Sequence, residues 1–174
     1  MQSEILTKIK IRPLTNSDNL NELTLLLNRS YKKLADQGFK YLASHQDTEI
    51  TKYRIEKGQC FVATLDNKII ATICYYLPDR ASGNDWYNQE FVASYGQFAV
   101  DPPFQKLGLG GQLIDLVEKI AMSDNAKEIA IDTAEGASEL IDYYKKRGYR
   151  FVDYAQWAET NYRSVVLSKK IYGL

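Results

Sequence analysis

Between Tyr95 and Ala121 the chain reads YGQFAVDPPFQKLGLGGQLIDLVEKIA, and few folds accommodate such a stretch. Phe98, Ala99 and Val100 end an apolar run. Pro102 and Pro103, which can extend neither a ladder nor a helix interior, then redirect the chain. Beyond that corner Leu109, Leu113, Leu116, Val117 and Ile120 recur at three- and four-residue spacing, with Asp115, Glu118 and Lys119 on the other side. That pattern predicts a helix packed on a sheet. Gly108, Gly110 and Gly111 fall in its first turn, where each glycine costs roughly 1 kcal/mol relative to alanine, so three together need a reason. Close approach of a ligand is one: the first helix amides lack internal partners and carry the positive end of the macrodipole, so a bare first turn suits a phosphate or pyrophosphate. Gln105 and Lys106 can add side-chain donors. The competing reading is a tight strand-to-helix packing corner.

Two familiar phosphate-binding patterns do not match. A Walker A loop requires Gly-Lys-Ser/Thr, whereas Gly110 is followed by Gly111 and Gln112. A dinucleotide fingerprint requires a third glycine where Leu113 stands and glycines directly after the strand, although Asp132 does mimic its ribose-binding acid. Gln105-Lys106-Leu107-Gly108-Leu109-Gly110, preceded by Ala99-Val100-Asp101-Pro102, resembles the Gln/Arg-x-x-Gly-x-Gly/Ala motif of the GNAT superfamily of acetyl-CoA-dependent N-acetyltransferases. Tyr143-Tyr144-Lys145-Lys146-Arg147-Gly148-Tyr149 resembles that family's second signature, Phe-Tyr-x-x-x-Gly-Phe, in the right order and one strand later.

The resemblance implies acetyl-CoA as cosubstrate, with no metal. It implies a binding site for coenzyme A at Phe98, Ala99, Val100, Gln105, Lys106, Leu107, Gly108, Leu109, Gly110 and Gly111. By the same resemblance Val100 offers its amide to the reacting carbonyl, and Tyr144 is the catalytic acid for the departing thiolate. Ala137 stands seven residues before Tyr144, where the family often has asparagine. Gln97 occupies a place where many members carry an acid, and an amide cannot serve as a base. Glu135, Asp132 and His45 are the remaining base candidates, each also readable as a surface or capping residue. The implied activity is transfer of acetyl to a primary amine of a small molecule, with a peptide N-terminus or lysine as the lesser alternative, by direct attack in a ternary complex. A non-catalytic acyl-CoA-binding or sensing module is the alternative on the same fold. Tyr31, Phe39, Tyr41, Tyr75 and Trp86 suggest a partly apolar acceptor pocket, although core packing explains most such aromatics. Family members frequently pair through their late strands, which leaves a homodimer open by analogy.

Length allows a single domain, residues 1–174, with a real core. Equal totals of 22 basic and 22 acidic residues give no global field, so charge does not suggest nucleic-acid or anionic-membrane binding. The start, MQSEILTKIKIRPL, has no apolar core of signal-peptide length, and a cytoplasmic location is expected. Cys60 and Cys74 lie in apolar runs without metal-ligand spacing and read as reduced, buried thiols, with a disulfide between neighbouring strands as the alternative.

The remaining chain supplies the other layers. Lys8 to Arg12 reads as an opening strand. A helix capped by Ser17 runs to about Leu34, and one capped by Thr48 runs to about Lys57. Phe61 to Leu65 and Lys68 to Tyr76 form an antiparallel hairpin across Asp66-Asn67. The polar stretch from Pro78 to Ser94 is either cover for an acceptor site or an inserted surface loop. Strand Glu128 to Asp132, helix Ala137 to Arg147, and strands Tyr149 to Tyr154 and Val165 to Lys169 complete the order. The fold class expected is α/β, GNAT-like: a mixed, largely antiparallel sheet with a central parallel pair and helices on both faces.

Overall fold

Asp66 and Asn67 both take left-handed backbone angles, φ 48° and 65°, which matches the twist of a two-residue hairpin turn and joins β2 (Gln59–Leu65) to β3 (Lys68–Tyr76). The computed structural model describes residues 2–79 and 82–172; positions 80 and 81 of the expected 78–94 connection lie outside the described residues. Around the hairpin a seven-stranded sheet forms in the order β1-β2-β3-β4-β5-β7-β6. The other strands are β1 (Lys10–Pro13), β4 (Val92–Val100), β5 (Glu128–Ala134), β6 (Arg150–Ala155) and β7 (Ser164–Lys170). Only β4 and β5 pair in parallel among these neighbours, as a helical crossover between them requires.

Helices cover both faces. On one, α5 (Leu109–Ser123) buries Leu109, Leu113, Ile114, Val117 and Ala121 against Ile70, Tyr95 and Ile129. Tyr144, from α6 (Ser138–Lys146), and Tyr149 join that cluster. On the other face α2 (Leu20–Ser30) packs Leu23, Leu26 and Leu27 on Val62, Ile69 and Ala99. Each buried leucine contributes about 1.5–3 kcal/mol. Neighbours Val62 and Ala63, and Ile69 and Ile70, serve opposite clusters, so a strand covered on both sides reads as a continuous apolar run.

Several local expectations shift. Gln2–Lys8 is a helix, α1, and the first strand begins only at Lys10. Asn19, not Ser17, caps α2, accepting from the amides of Asn21 (2.9 Å) and Glu22 (3.2 Å). Asp18 instead takes both ends of the Arg12 fork, at 2.7 and 2.8 Å, and the Thr15 amide. The expected long helix breaks at Tyr31 and resumes as α3 (Lys32–Asp36). Asp47, one residue before Thr48, caps α4 (Thr48–Glu56) through the Ile50 amide. Cys60 and Cys74 face each other across β2 and β3 as free, buried thiols. No helix among the described residues is long and apolar enough to cross a membrane.

Two irregularities in β4 prepare the site. Its register with β3 shifts between Thr72 and Cys74, at a bulge where Gln97 has φ 47°. Its pairing with β5 ends at Ser94 opposite Ala130, although both strands continue. A bulge bends its strand and increases the local twist, and the two strands diverge into a gap.

Candidate active site

The far half of β4 lines that gap. The Asp101 amide bonds to Ile70 O (2.9 Å), so the alternation of an antiparallel ladder turns the peptide groups of Val100 and Phe98 away from β3 and toward the gap. Tyr31 Oη donates to Phe98 O (2.8 Å), while Ser30 Oγ and Gln105 Nε2 donate to Val100 O (3.2 and 3.0 Å). Arg29 grips Asp101 at 2.7 and 2.9 Å, which anchors the strand end to α2.

A 3₁₀ turn at Pro102–Phe104 and left-handed backbone at Lys106 (φ 66°) and Gly108 (φ 77°) then bring the chain into α5. Gly108 occupies the cap position and offers no side chain to the free amides, and the first turn carries no acid. Helical bonding from the cap begins with the Gln112 amide to Gly108 O (3.1 Å), so the intervening amides are available to an outside acceptor. A Cβ on Gly110 would stand 3.2 Å from the Phe98 ring, and one on Gly111 3.2 Å from Arg147 Nη1. The packing-corner reading therefore accounts for these two glycines, while Gly108 has open space beside it.

A cavity of about 360 Å³ runs along this turn. Every residue expected to hold coenzyme A borders it except Leu107, and Leu109 reaches it from a position whose side chain belongs to the core. Bare amides at a helix start, with Lys106 beside them, are a donor set that fits a diphosphate.

Tyr144 borders this cavity and a second one of about 280 Å³. Its side chain is 5% exposed and packs against the rings of Tyr143 and Tyr149, with centroids 5.4 and 5.8 Å away. Burial pushes its pKa well above the ordinary tyrosine value. The second cavity has an aromatic wall of Tyr31, Tyr41 and Tyr162. It adjoins a larger chamber of about 860 Å³, with which it shares Leu42, Arg54, Tyr95, Gly96, Asp132 and Glu159. Pro78, Asp79, Ser82 and Tyr87 form part of that chamber's wall, so the polar connection after β3 lies against it.

Of the three base candidates only Asp132 borders these spaces. Tyr87 Oη donates to its Oδ1 and Trp157 Nε1 to its Oδ2, each at 2.8 Å, which fixes the carboxylate. Glu135 is paired with Arg163 (2.7 and 3.0 Å), and His45 is exposed beside Ser44. Among the suggested aromatics Tyr31 and Tyr41 line the second cavity. Tyr75 is core, Phe39 packs on Tyr162 and Trp86 on Phe91. Arg54, Trp157, Glu159 and Tyr162 also line the site, and sequence reasoning missed them because no spacing connects them.

The family model for the acetyltransferase (GNAT) family matches residues 21–149. The chain is also 31% identical over 141 residues to the S-(2-succino)cysteine N-acetyltransferase of Bacillus subtilis (strain 168), covering 77% of this chain and 78% of that protein. The chain belongs to the GNAT family of acetyltransferases. Solved structures agree on the GNAT fold. PH1933 from Pyrococcus horikoshii OT3 superposes with a TM-score of 0.73 at 23% identity, over 95% of this chain and 99% of that one. A GNAT acetyltransferase from Elizabethkingia anophelis with acetyl-CoA bound gives 0.66 at 20% identity, over 94% and 98%. This GNAT chain is thus an acetyltransferase, of a family whose acetyl donor is acetyl-CoA.

Proposed function

We propose that residues 1–174 act as a single N-acetyltransferase domain that moves acetyl from acetyl-CoA to the primary amine of a small molecule, with direct attack in a ternary complex. The position of Tyr144 carries this reading: it stands in the wall common to the cavity beside the glycine-rich turn and the aromatic-walled cavity that holds Asp132. Donor on one side and acceptor on the other would meet next to its hydroxyl. The curated relative, named for a modified amino acid, supports a small acceptor.

In this reading the amides of the first turn of α5, with Lys106, hold the diphosphate of the donor, and Phe98, Ala99 and Val100 hold the thioester arm along the open edge of β4. The Val100 amide stabilises the charge that builds on the carbonyl oxygen as nitrogen attacks. Asp132 takes a proton from the acceptor ammonium, directly or through water, so that the neutral amine can attack. A phenol near 10 gives its proton uphill to a thiolate near 8.5, by about 2 kcal/mol, and burial lifts Tyr144 further. Its contribution is therefore a hydrogen bond to sulfur as the C–S bond breaks, with the proton released by the nitrogen balancing the thiol that leaves. Holding both reactants in one gap supplies the rest of the acceleration.

The test is an assay of free thiol with acetyl-CoA and a panel of amines that includes S-(2-succino)cysteine, with mass detection of the acetylated product. Amine-dependent thiol release in step with product is expected. Tight binding of acetyl-CoA with no release for any amine would instead point to a non-catalytic module.

A further inference from the structure

Six arginines lie among the described residues, and five of them, Arg12, Arg29, Arg147, Arg150 and Arg163, are met by a carboxylate of the protein. Arg54 is the exception, and it borders both of the adjoining chambers. It is not loose. Its Nη1 donates to Gln46 Oε1 (2.7 Å); Gln46 Nε2 donates to Thr51 Oγ1 (2.7 Å), which also accepts from Thr24 Oγ1 (2.7 Å). Gln46 is 2% exposed and Thr51 fully buried. Tyr76 Oη holds the Arg54 carbonyl at 3.1 Å.

Burying a neutral amide to grip one edge of a guanidinium costs desolvation, which the chain of hydrogen bonds offsets, and its effect is to orient the group. A guanidinium has five N–H donors in a planar fork, and the bond to Gln46 engages one of them. The remainder suits a planar anion entering from the chamber. The same space carries the opposite polarity at the fixed carboxylate of Asp132 and at Gln97, whose amide is buried, 3% exposed, with no partner for its oxygen or its nitrogen. A positive fork and a negative acceptor group in one chamber match a zwitterion.

We propose that Arg54 takes a carboxylate of the acceptor, so that the substrates are amino acids and their carboxylate-bearing derivatives, with the amine turned toward Asp132 and Gln97. This rests on the acetyl-transfer reading of the site. Gln46 acts as a positioning residue for the fork.

The experiment uses the full chain with the proteinogenic L-amino acids and S-carboxymethyl-L-cysteine, each against its carboxamide. Thiol release is measured for the parent, Arg54→Gln and Arg54→Lys, and binding by calorimetry in the presence of coenzyme A. The parent should favour the best acid over its amide by at least about tenfold in kcat/KM, mostly through KM. Arg54→Gln should collapse that ratio to within about threefold, and Arg54→Lys should restore part of it. Unfolding midpoints of the variants separate loss of recognition from loss of fold. Equal use of acid and amide by the parent, or an unchanged ratio in Arg54→Gln, would overturn the assignment while leaving acetyl transfer intact. Arg54-dependent binding of acids with no thiol release would do the reverse. If neither binding nor release responds to any acid, both fail.

Discussion

Tyr144 and Arg54 were unequally legible, for a physical reason. Tyr144 sits inside a contiguous motif, five residues ahead of Tyr149 in the helix-to-strand corner, so its place is fixed by local chain geometry. Arg54 lies on a helix with little amphipathic pattern, and its importance comes from Gln46, from two threonines and from what is missing around it. For Tyr144 the burial that raises its pKa has a direct consequence for rate. A raised value keeps the phenol protonated at and above pH 10, so kcat should show no alkaline fall between pH 7 and about 10. Tyr144→Phe should lower kcat by about 10- to 100-fold, below the upper range for acid catalysis because a thiolate is already a fair leaving group, and change KM for acetyl-CoA by less than about threefold. An alkaline limb near pH 8–9 that vanishes in Tyr144→Phe would contradict this account.

Among the elements, the helix after the double proline was readable in its extent and at Leu109, Leu113 and Val117, while Leu116 and Ile120 are only half-buried, and Glu118, expected on the solvent side, is buried where Tyr149 and Lys169 hold its carboxylate. The caps were not. Asn19 and Asp47 lie within two residues of the expected Ser17 and Thr48, and the choice depends on Arg12 claiming Asp18 and on where the chain turns. α1 was missed because a seven-residue helix contains too few turns for a period to emerge. The first turn of α5 makes a prediction that separates stability from binding. Alanine at Gly108 meets no atom within 4 Å but must adopt φ 77°, and should cost about 1–2 kcal/mol in urea unfolding. At Gly110 a methyl favours the helix by about 1 kcal/mol, yet it must displace the Phe98 ring, which borders the donor cavity. Gly110→Ala should therefore stay within about 1 kcal/mol of the parent while acetyl-CoA affinity falls about tenfold by calorimetry. Equal affinity would show that the turn is only a packing corner.

At the scale of the molecule, the hairpin and the parallel pair follow from hydrophobic runs and connection lengths, so the α/β class was visible from sequence, whereas the place of β7 between β5 and β6 was not. The acceptor chamber was not, because Arg54, Gln97, Asp132 and Trp157 are brought together by the bulge and divergence of β4, which no period encodes. Paired carboxylates also hold the chain together, across six residues at Asp18 and 22 at Glu128. Arg12 holds Asp18 down to about 2 from 3.8, with burial opposing and Thr15 assisting. Burial works against ionisation of Glu128, but Arg150 and Ser168 outweigh it and its pKa is also lowered. A folded pKa below the unfolded one means that the folded state binds fewer protons, so stability is fully present above the unfolded value and is lost as pH falls through the folded one. Unfolding free energy should thus be flat between about pH 5 and 8 and decline from about pH 4 to 2. Asp18→Asn should cost about 1–2 kcal/mol at pH 7, after allowance for the solvent-exposed side of Arg12, and the difference from the parent should close near pH 2. Denaturant titrations of both proteins at the two pH values measure it, and a gap that persists undiminished at pH 2 would assign the role of Asp18 to shape and hydrogen bonding rather than to its charge.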